Sequence, residues 1–137
     1  MFDGMTTVTQ GTVGVTAAIW EFTKRGWWVC VPINDNQPYD LIVDRGDGPR
    51  RVQVKTSSFK PYAGNYTILL QSVRSNKTKN IIKHFDNTIV DELFILCDDG
   101  SMYSIPAKDV MAKSGLSLGS KYKKYKLDSE QAKWSPP

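Results

Sequence analysis

The chain has 137 residues, 40% hydrophobic and 23% charged, with 18 Lys+Arg against 14 Asp+Glu for a net charge of +4. That size and balance fit one globular domain with its own core. A membrane span is excluded, since no run approaches the ~18 consecutive apolar residues one requires.

The N-terminus lacks the basic-then-apolar layout of a secretory leader, so a cytoplasmic, reducing setting is expected. The modest basic excess is compatible with a polyanionic partner without naming one. Residues 1–10 read as a polar, threonine-rich lead-in. From Gly11 to Arg25, Val15, Ala18, Ile19 and Phe22 recur at three- and four-residue steps, the period of a helix that buries one face. Lys24-Arg25-Gly26 ends it with cations in the last turn and then a glycine. Trp27 to Pro32 reads as a buried strand, and residues 34–38 as a turn.

Tyr39 to Val43 and Arg51 to Thr56 then form the arms of a hairpin across Arg45-Gly46-Asp47-Gly48-Pro49. Two-residue alternation puts Val52 and Val54 on one face and Gln53 and Lys55 on the other. Asn65 to Val73 is the next strand, and the basic stretch Arg74 to Asn80 a surface loop. Glu92 to Cys97 and Ser101 to Ile105 make a second hairpin, and Pro106 opens a short helix to about Ala112. The tail from Ser114 carries Lys121, Lys123, Lys124 and Lys126 before Trp134-Ser135-Pro136-Pro137. No repeat or linker interrupts this order. It describes a single α/β (α+β) domain with a central mixed sheet flanked by helices, its core over about residues 10–112 and a basic extension over 113–137.

Cys30 and Cys97 lie in apolar runs and read as reduced, buried thiols without zinc-ligand spacing. His84, the single histidine, lacks an evident partner as a general base or ligand and reads as structural or incidental. Trp20, Trp27 and Trp28 read as core or interface residues. No Walker loop, GxGxxG, GxSxG or HExxH occurs, so nucleotide-binding, hydrolase-fold and zinc-peptidase readings have no support.

The sharpest chemical pattern is Asp40 on one hairpin arm and Gln53-Val54-Lys55 on the other. If they share a face, a carboxylate, an amide oxygen and an ammonium converge. Oxygen donors of that kind suit a hard cation such as Mg²⁺, with water and phosphate oxygens completing the shell. The ammonium is placed to orient or deprotonate an attacking water and to offset charge in a phosphoryl transition state. Taken alone, a D…QxK pattern is accounted for more simply by an amphipathic hairpin with a wet outer face.

Its surroundings change that reading. The segment Gly11 to Ser57, with Lys24-Arg25-Gly26-Trp27, Val31-Pro32, Pro38-Tyr39-Asp40-Leu41-Ile42-Val43-Asp44 and Arg51-Val52-Gln53-Val54-Lys55-Thr56, resembles the PD-(D/E)XK nuclease superfamily in order and spacing. The resemblance is strongest to its small intron-encoded homing endonucleases, in which glutamine can replace the acidic residue, and extends to Holliday-junction resolvases. Ile89-Val90-Asp91-Glu92-Leu93-Phe94-Ile95-Leu96 and Tyr103-Ser104-Ile105-Pro106 are similar to the strands that complete that domain.

The resemblance implies a restriction-endonuclease-like fold and a metal-dependent, sequence-specific endonuclease of bacterial or phage origin that acts on double-stranded DNA. Asp40, Gln53 and the Val54 carbonyl would hold Mg²⁺, for which Mn²⁺ can substitute. Lys55 would be the catalytic lysine, and Arg51, Thr56, Ser57, Ser58, Arg74, Lys77 and Lys79 would meet DNA. Cutting both strands of a duplex implies a homo-oligomer, a dimer or tetramer. One departure matters: Val15 stands where relatives often carry a helix glutamate that approaches the metal, and Glu21 lies on a different helix face. Three alternatives therefore stand beside the main expectation: a junction resolvase, a DNA-binding protein on an eroded nuclease fold, and an accessory factor without DNA affinity.

Overall fold

The computed structural model describes residues 1–34, 36–61, 64–75 and 80–127. Its long helix, α1 (Thr7–Thr23), starts earlier than the apolar period suggests. Thr6 caps it, its hydroxyl accepting from the Thr9 N–H at 3.2 Å. The first turns are rich in threonine, valine and glycine, all poor helix formers. The Thr12 and Thr16 hydroxyls turn inward and donate to the carbonyls one turn back, at 3.1 and 2.8 Å. The Thr6 cap, the Gln10–Thr56 hydrogen bond and the close seat of Gly14 on Val54 and Thr56 hold this end in place.

Among the described residues ten strands follow: β1 (Trp28–Cys30), β2 (Leu41–Asp44), β3 (Pro49–Ser57), β4 (Thr67–Leu69), β5 (Ser72–Ser75), β6 (Asn80–Lys83), β7 (Glu92–Cys97), β8 (Met102–Pro106), β9 (Gly115–Ser117) and β10 (Lys126–Leu127). Six of them form one mixed sheet in the order β1-β2-β3-β7-β8-β10. Only β3 and β7 run parallel, with Val52 opposite Glu92 and Ser57 opposite Cys97. The β2–β3 hairpin closes where the Asp44 carboxylate accepts from the Gly46 and Gly48 N–H groups. Both glycines have positive φ (103° and 116°), a backbone shape that side chains resist.

Alternation along β3 and β7 divides the interior into two clusters. Val52, Phe94 and Leu96 meet Phe22, Ala18, Leu41 and Val43 beneath α1. Phe22 and Phe94 pack edge to face at 5.5 Å. Leu93, Ile95 and Cys97 point the other way, into a cluster with Ile68, Leu70, Phe85, Val90, Ile105 and Leu116. Every residue of β7 is therefore buried.

The second face is covered without another α-helix among the described residues. The helix expected after Pro106 is a single 3₁₀ turn, Ala107–Asp109, ending at Val110 in extended conformation. The tail is more ordered than its composition suggests. It adds β9, which pairs with β4, then a 3₁₀ helix (Ser120–Tyr125) and β10, which takes one edge of the main sheet. The expected strand Asn65 to Val73 breaks into β4 and β5, and β5 pairs antiparallel with β6 where a surface loop was expected. Cys97 is buried as expected, and burial pushes its thiol up to about 11. Cys30 is exposed, because β1 is the other edge strand. Trp27 packs on the core beneath α1, while Trp20 and Trp28 face outward.

Candidate active site

The β2–β3 pairing stops at Leu41–Val52, and the site lies just beyond it. Asp40 sits at that boundary. Its backbone N–H donates to the Val52 carbonyl at 2.8 Å, and its carboxylate Oδ2 accepts from the Val54 N–H at 2.7 Å. The side chain thus replaces the next rung of the ladder. In a strand, a residue's N–H and C=O leave on the same edge, so the Val54 carbonyl is directed to the open edge where Asp40 lies.

Leu41 and Val43 face α1, which turns Asp40 to the opposite side of the sheet. The same alternation on β3 presents Gln53 and Lys55 there, as expected. All three line a cleft of about 610 Å³. The far wall is built by Leu70 and by the segment Lys83 to Asp86, with Asn36, Gln37 and Pro38 at the rim.

Both charged groups are held away from water. Burial pushes the Asp40 carboxyl above the ordinary aspartate range, while the Val54 N–H and the Lys55 ammonium oppose the rise. Burial likewise pulls Lys55 below the ordinary lysine range, opposed by Asp40. A carboxylate and an amine whose protonation equilibria both move toward neutrality fit acid–base work at a cleft floor.

The fold uses some of the expected DNA contacts otherwise. Thr56 faces α1: its hydroxyl accepts from Gln10 Nε2 at 3.0 Å, and its methyl lies under Gly14. Ser57 is buried, donating to the Thr67 carbonyl at 2.6 Å and accepting from the Phe59 N–H. The Ser57 hydroxyl has both its hydrogen-bonding roles filled within the fold, and the Thr56 hydroxyl is turned toward α1. The Arg51 guanidinium is engaged by Asp91 (Nε–Oδ2 3.1 Å). Ser58 is exposed at the end of β3. Arg74 stands in β5, whereas Lys77 and Lys79 lie outside the described residues.

Val15 packs against the apolar cluster beneath α1. Glu21 is buried and spent on Lys24 and Arg25, at 2.8 and 2.7 Å. Among the described residues no three His, Cys, Asp or Glu side chains gather as a metal cluster. The donors that fit a hard cation are one carboxylate with the Gln53 amide and Val54 carbonyl oxygens, an arrangement that leaves room for water and phosphate oxygens. Sequence reasoning did not place His84 or Asp86 on the cleft wall, which they share with Lys83. The signal was faint: Phe85 alone among polar neighbours, the one residue of that segment that anchors in the core.

A family model described as PD-(D/E)XK endonuclease matches residues 5–133. The chain belongs to the PD-(D/E)XK endonuclease family. The bacterial homing endonuclease I-Ssp6803I shares this PD-(D/E)XK fold with a TM-score of 0.75 and 26% identity, over 86% of this chain and 81% of that one. The Holliday junction resolvase Hjc of Archaeoglobus fulgidus, an archaeal hyperthermophile, superposes with a TM-score of 0.50 at 11% identity, over 91% and 98% of the chains, a likeness of fold alone. No curated protein matches by sequence. Among the described residues, no helix is long and apolar enough to cross a membrane.

Proposed function

We propose that this PD-(D/E)XK chain is a metal-dependent, sequence-specific endonuclease of double-stranded DNA, of the homing type. The observation that carries the reading is the Asp40 carboxylate pinned by the Val54 N–H at the open edge of β3, in one cleft with Gln53 and Lys55. Likeness to a homing endonuclease over most of both chains supports the finer assignment.

Asp40, the Gln53 amide oxygen and the Val54 carbonyl would hold Mg²⁺, or Mn²⁺ in its place, and the bound ion would supply Lewis-acid stabilisation of the phosphoryl oxygens. Lys55 stands beside Asp40, where its amine takes the proton of the attacking water and its ammonium then offsets charge on the pentavalent phosphorus. Burial lowers the cost of the first step by raising the share of neutral amine. Gln53 brings no charge, so one carboxylate carries the electrostatics of the site and phosphate oxygens complete it. Two such clefts, each acting on one strand, are needed to sever a duplex, which makes a homo-oligomer the working form.

The test is digestion of mixed genomic DNA and of a synthetic four-way junction in Mg²⁺, Mn²⁺ and EDTA, with the new ends sequenced. Discrete ends on linear DNA, lost in EDTA, are expected. Cutting confined to the junction overturns the homing assignment in favour of a resolvase, and cutting in EDTA overturns the metal assignment.

A further inference from the structure

We propose that His84 is a catalytic residue of this cleft, the group that protonates the leaving oxygen of the scissile phosphodiester. The proposal rests on the nuclease reading above and adds the acid that reading lacks. Asp40, Gln53 and Lys55 all rise from the sheet floor. They serve the attacking side of the phosphorus. In-line displacement sends the leaving oxygen out on the side opposite the attacking water, away from the amine that takes the water's proton.

His84 comes from a different element. It follows Lys83, the last residue of β6, and lines the same cleft from its wall with its side chain exposed. Its neighbours fix that placement. Phe85 is 8% exposed, anchored among Leu70, Val90 and Val110, and its N–H donates to the Lys113 carbonyl at 3.3 Å. The Asp86 carboxylate ties the following turn, accepting from the Thr88 N–H at 2.9 Å and the Thr88 hydroxyl at 2.6 Å. With Phe85 turned into the core, the residues on either side face outward, and His84 stands on the wall between this cleft and a second pocket lined by Asn87, Val110 and Met111. The Asp86 carboxylate is held by Thr88, and the cleft holds no second imidazole, since the chain has one histidine.

The water oxygen bonds to phosphorus as the bond from phosphorus to the bridging oxygen breaks. The water proton passes to the Lys55 amine, and the electron pair left on the bridging oxygen takes a proton from the His84 imidazolium. Solvent restores both groups. Histidine is suited to this exchange because its ring nitrogens can both donate and accept a proton.

The test compares single-turnover cleavage by wild type, His84→Ala, His84→Gln and Asp40→Ala on two duplexes carrying the mapped cleavage site. One is all-oxygen. The other has sulfur in place of the bridging oxygen that end analysis shows to leave, and is cut in Mn²⁺, which tolerates the softer atom. Thiolate departs without needing a proton. Both His84 variants are expected to lose about 10²–10⁴-fold on the oxygen duplex and to come within about threefold of wild type on the sulfur duplex. Asp40→Ala is expected to fail on both.

Equal loss on the two duplexes, or no loss on either, overturns the role of His84 while leaving the nuclease reading intact. His84→Gln keeps size and hydrogen bonding, so with unchanged melting it decides the matter if the alanine variant does not fold. Absence of any wild-type cleavage overturns both readings together.

Discussion

The Asp40 carboxylate and the Val54 amide are joined by a 2.7 Å hydrogen bond that takes the place of a backbone rung between β2 and β3. It fixes the carboxylate against the strand that carries Gln53 and Lys55. It also brings a negative charge into a half-buried position with one neighbouring cation. Function and stability are opposed at such a site.

Asp40→Asn is therefore expected to melt higher than wild type at neutral pH. Burial, the largest influence on Asp40, raises its folded-state value, so ionisation costs stability above that value. As pH falls through the raised value, the wild type takes up a proton and the cost disappears. The gap between the two proteins should shrink on acidification, as read by thermal unfolding across a pH series. A gap that widens in acid contradicts the assignment.

Gly14→Ala tests the seat of α1 on β3. A Cβ at Gly14 meets the Thr56 methyl at 2.6 Å and a Val54 methyl at 3.2 Å. Both belong to short, branched side chains of a central strand and have little room to yield. The overpacking cost of ~1–3 kcal/mol exceeds the ~1 kcal/mol gained in helix propensity. A net loss of about 1–2 kcal/mol in urea unfolding is expected. Because β3 also carries the site, cleavage should slow as well.

Glu92→Ala removes the partner of Arg45. Both Glu92 oxygens accept from Arg45 Nη2 at 2.6 Å, and the Ser104 hydroxyl donates to one of them at 2.8 Å. The glutamate side chain is 5% exposed and the arginine 24%. Leaving that guanidinium half-buried without its carboxylate should cost about 2–3 kcal/mol, below the figure for a fully buried pair. Chemical denaturation reads the change directly.

Salt dependence of DNA binding sorts the basic residues. Lys83 stands on the cleft wall, and Lys83→Ala should reduce the slope of log K against log salt by about 1. Arg51→Ala should leave the slope unchanged, since Asp91 already holds that guanidinium. Arg74→Ala should weaken binding by about 1–3 kcal/mol if it reads a base, and less if it touches only phosphate.

What the sequence disclosed followed from short-range rules. Period-two alternation was enough to place Gln53 and Lys55 together and opposite Val52, and the Asp-Gly-rich turn between the hairpin arms set the register that brings Asp40 alongside. The cleft wall was hidden because β5 and β6 are stable only as a pair, and a basic polar stretch shows no such pairing by itself. The tail misled for a similar reason. Lysines on its surface masked Leu116, Leu118 and Tyr122, which anchor it in the core. Cys30 was misjudged because an apolar run looks the same in an edge strand as in a central one. Thr56 and Ser57 extend the motif in sequence, yet Thr56 turns its hydroxyl toward Gln10 of α1 and Ser57 spends its own on the Thr67 carbonyl and the Phe59 N–H.

The most direct test of the central claim is single-turnover cleavage by wild type, Asp40→Ala and Lys55→Ala on one mapped duplex in Mg²⁺, with binding measured on the same samples. Both variants should bind within a few-fold of wild type and produce no cleavage product. A Lys55→Ala protein that cuts at the wild-type rate, or a wild type that binds DNA in a salt-sensitive way and cuts nothing, contradicts the assignment of catalysis to Asp40, Gln53 and Lys55.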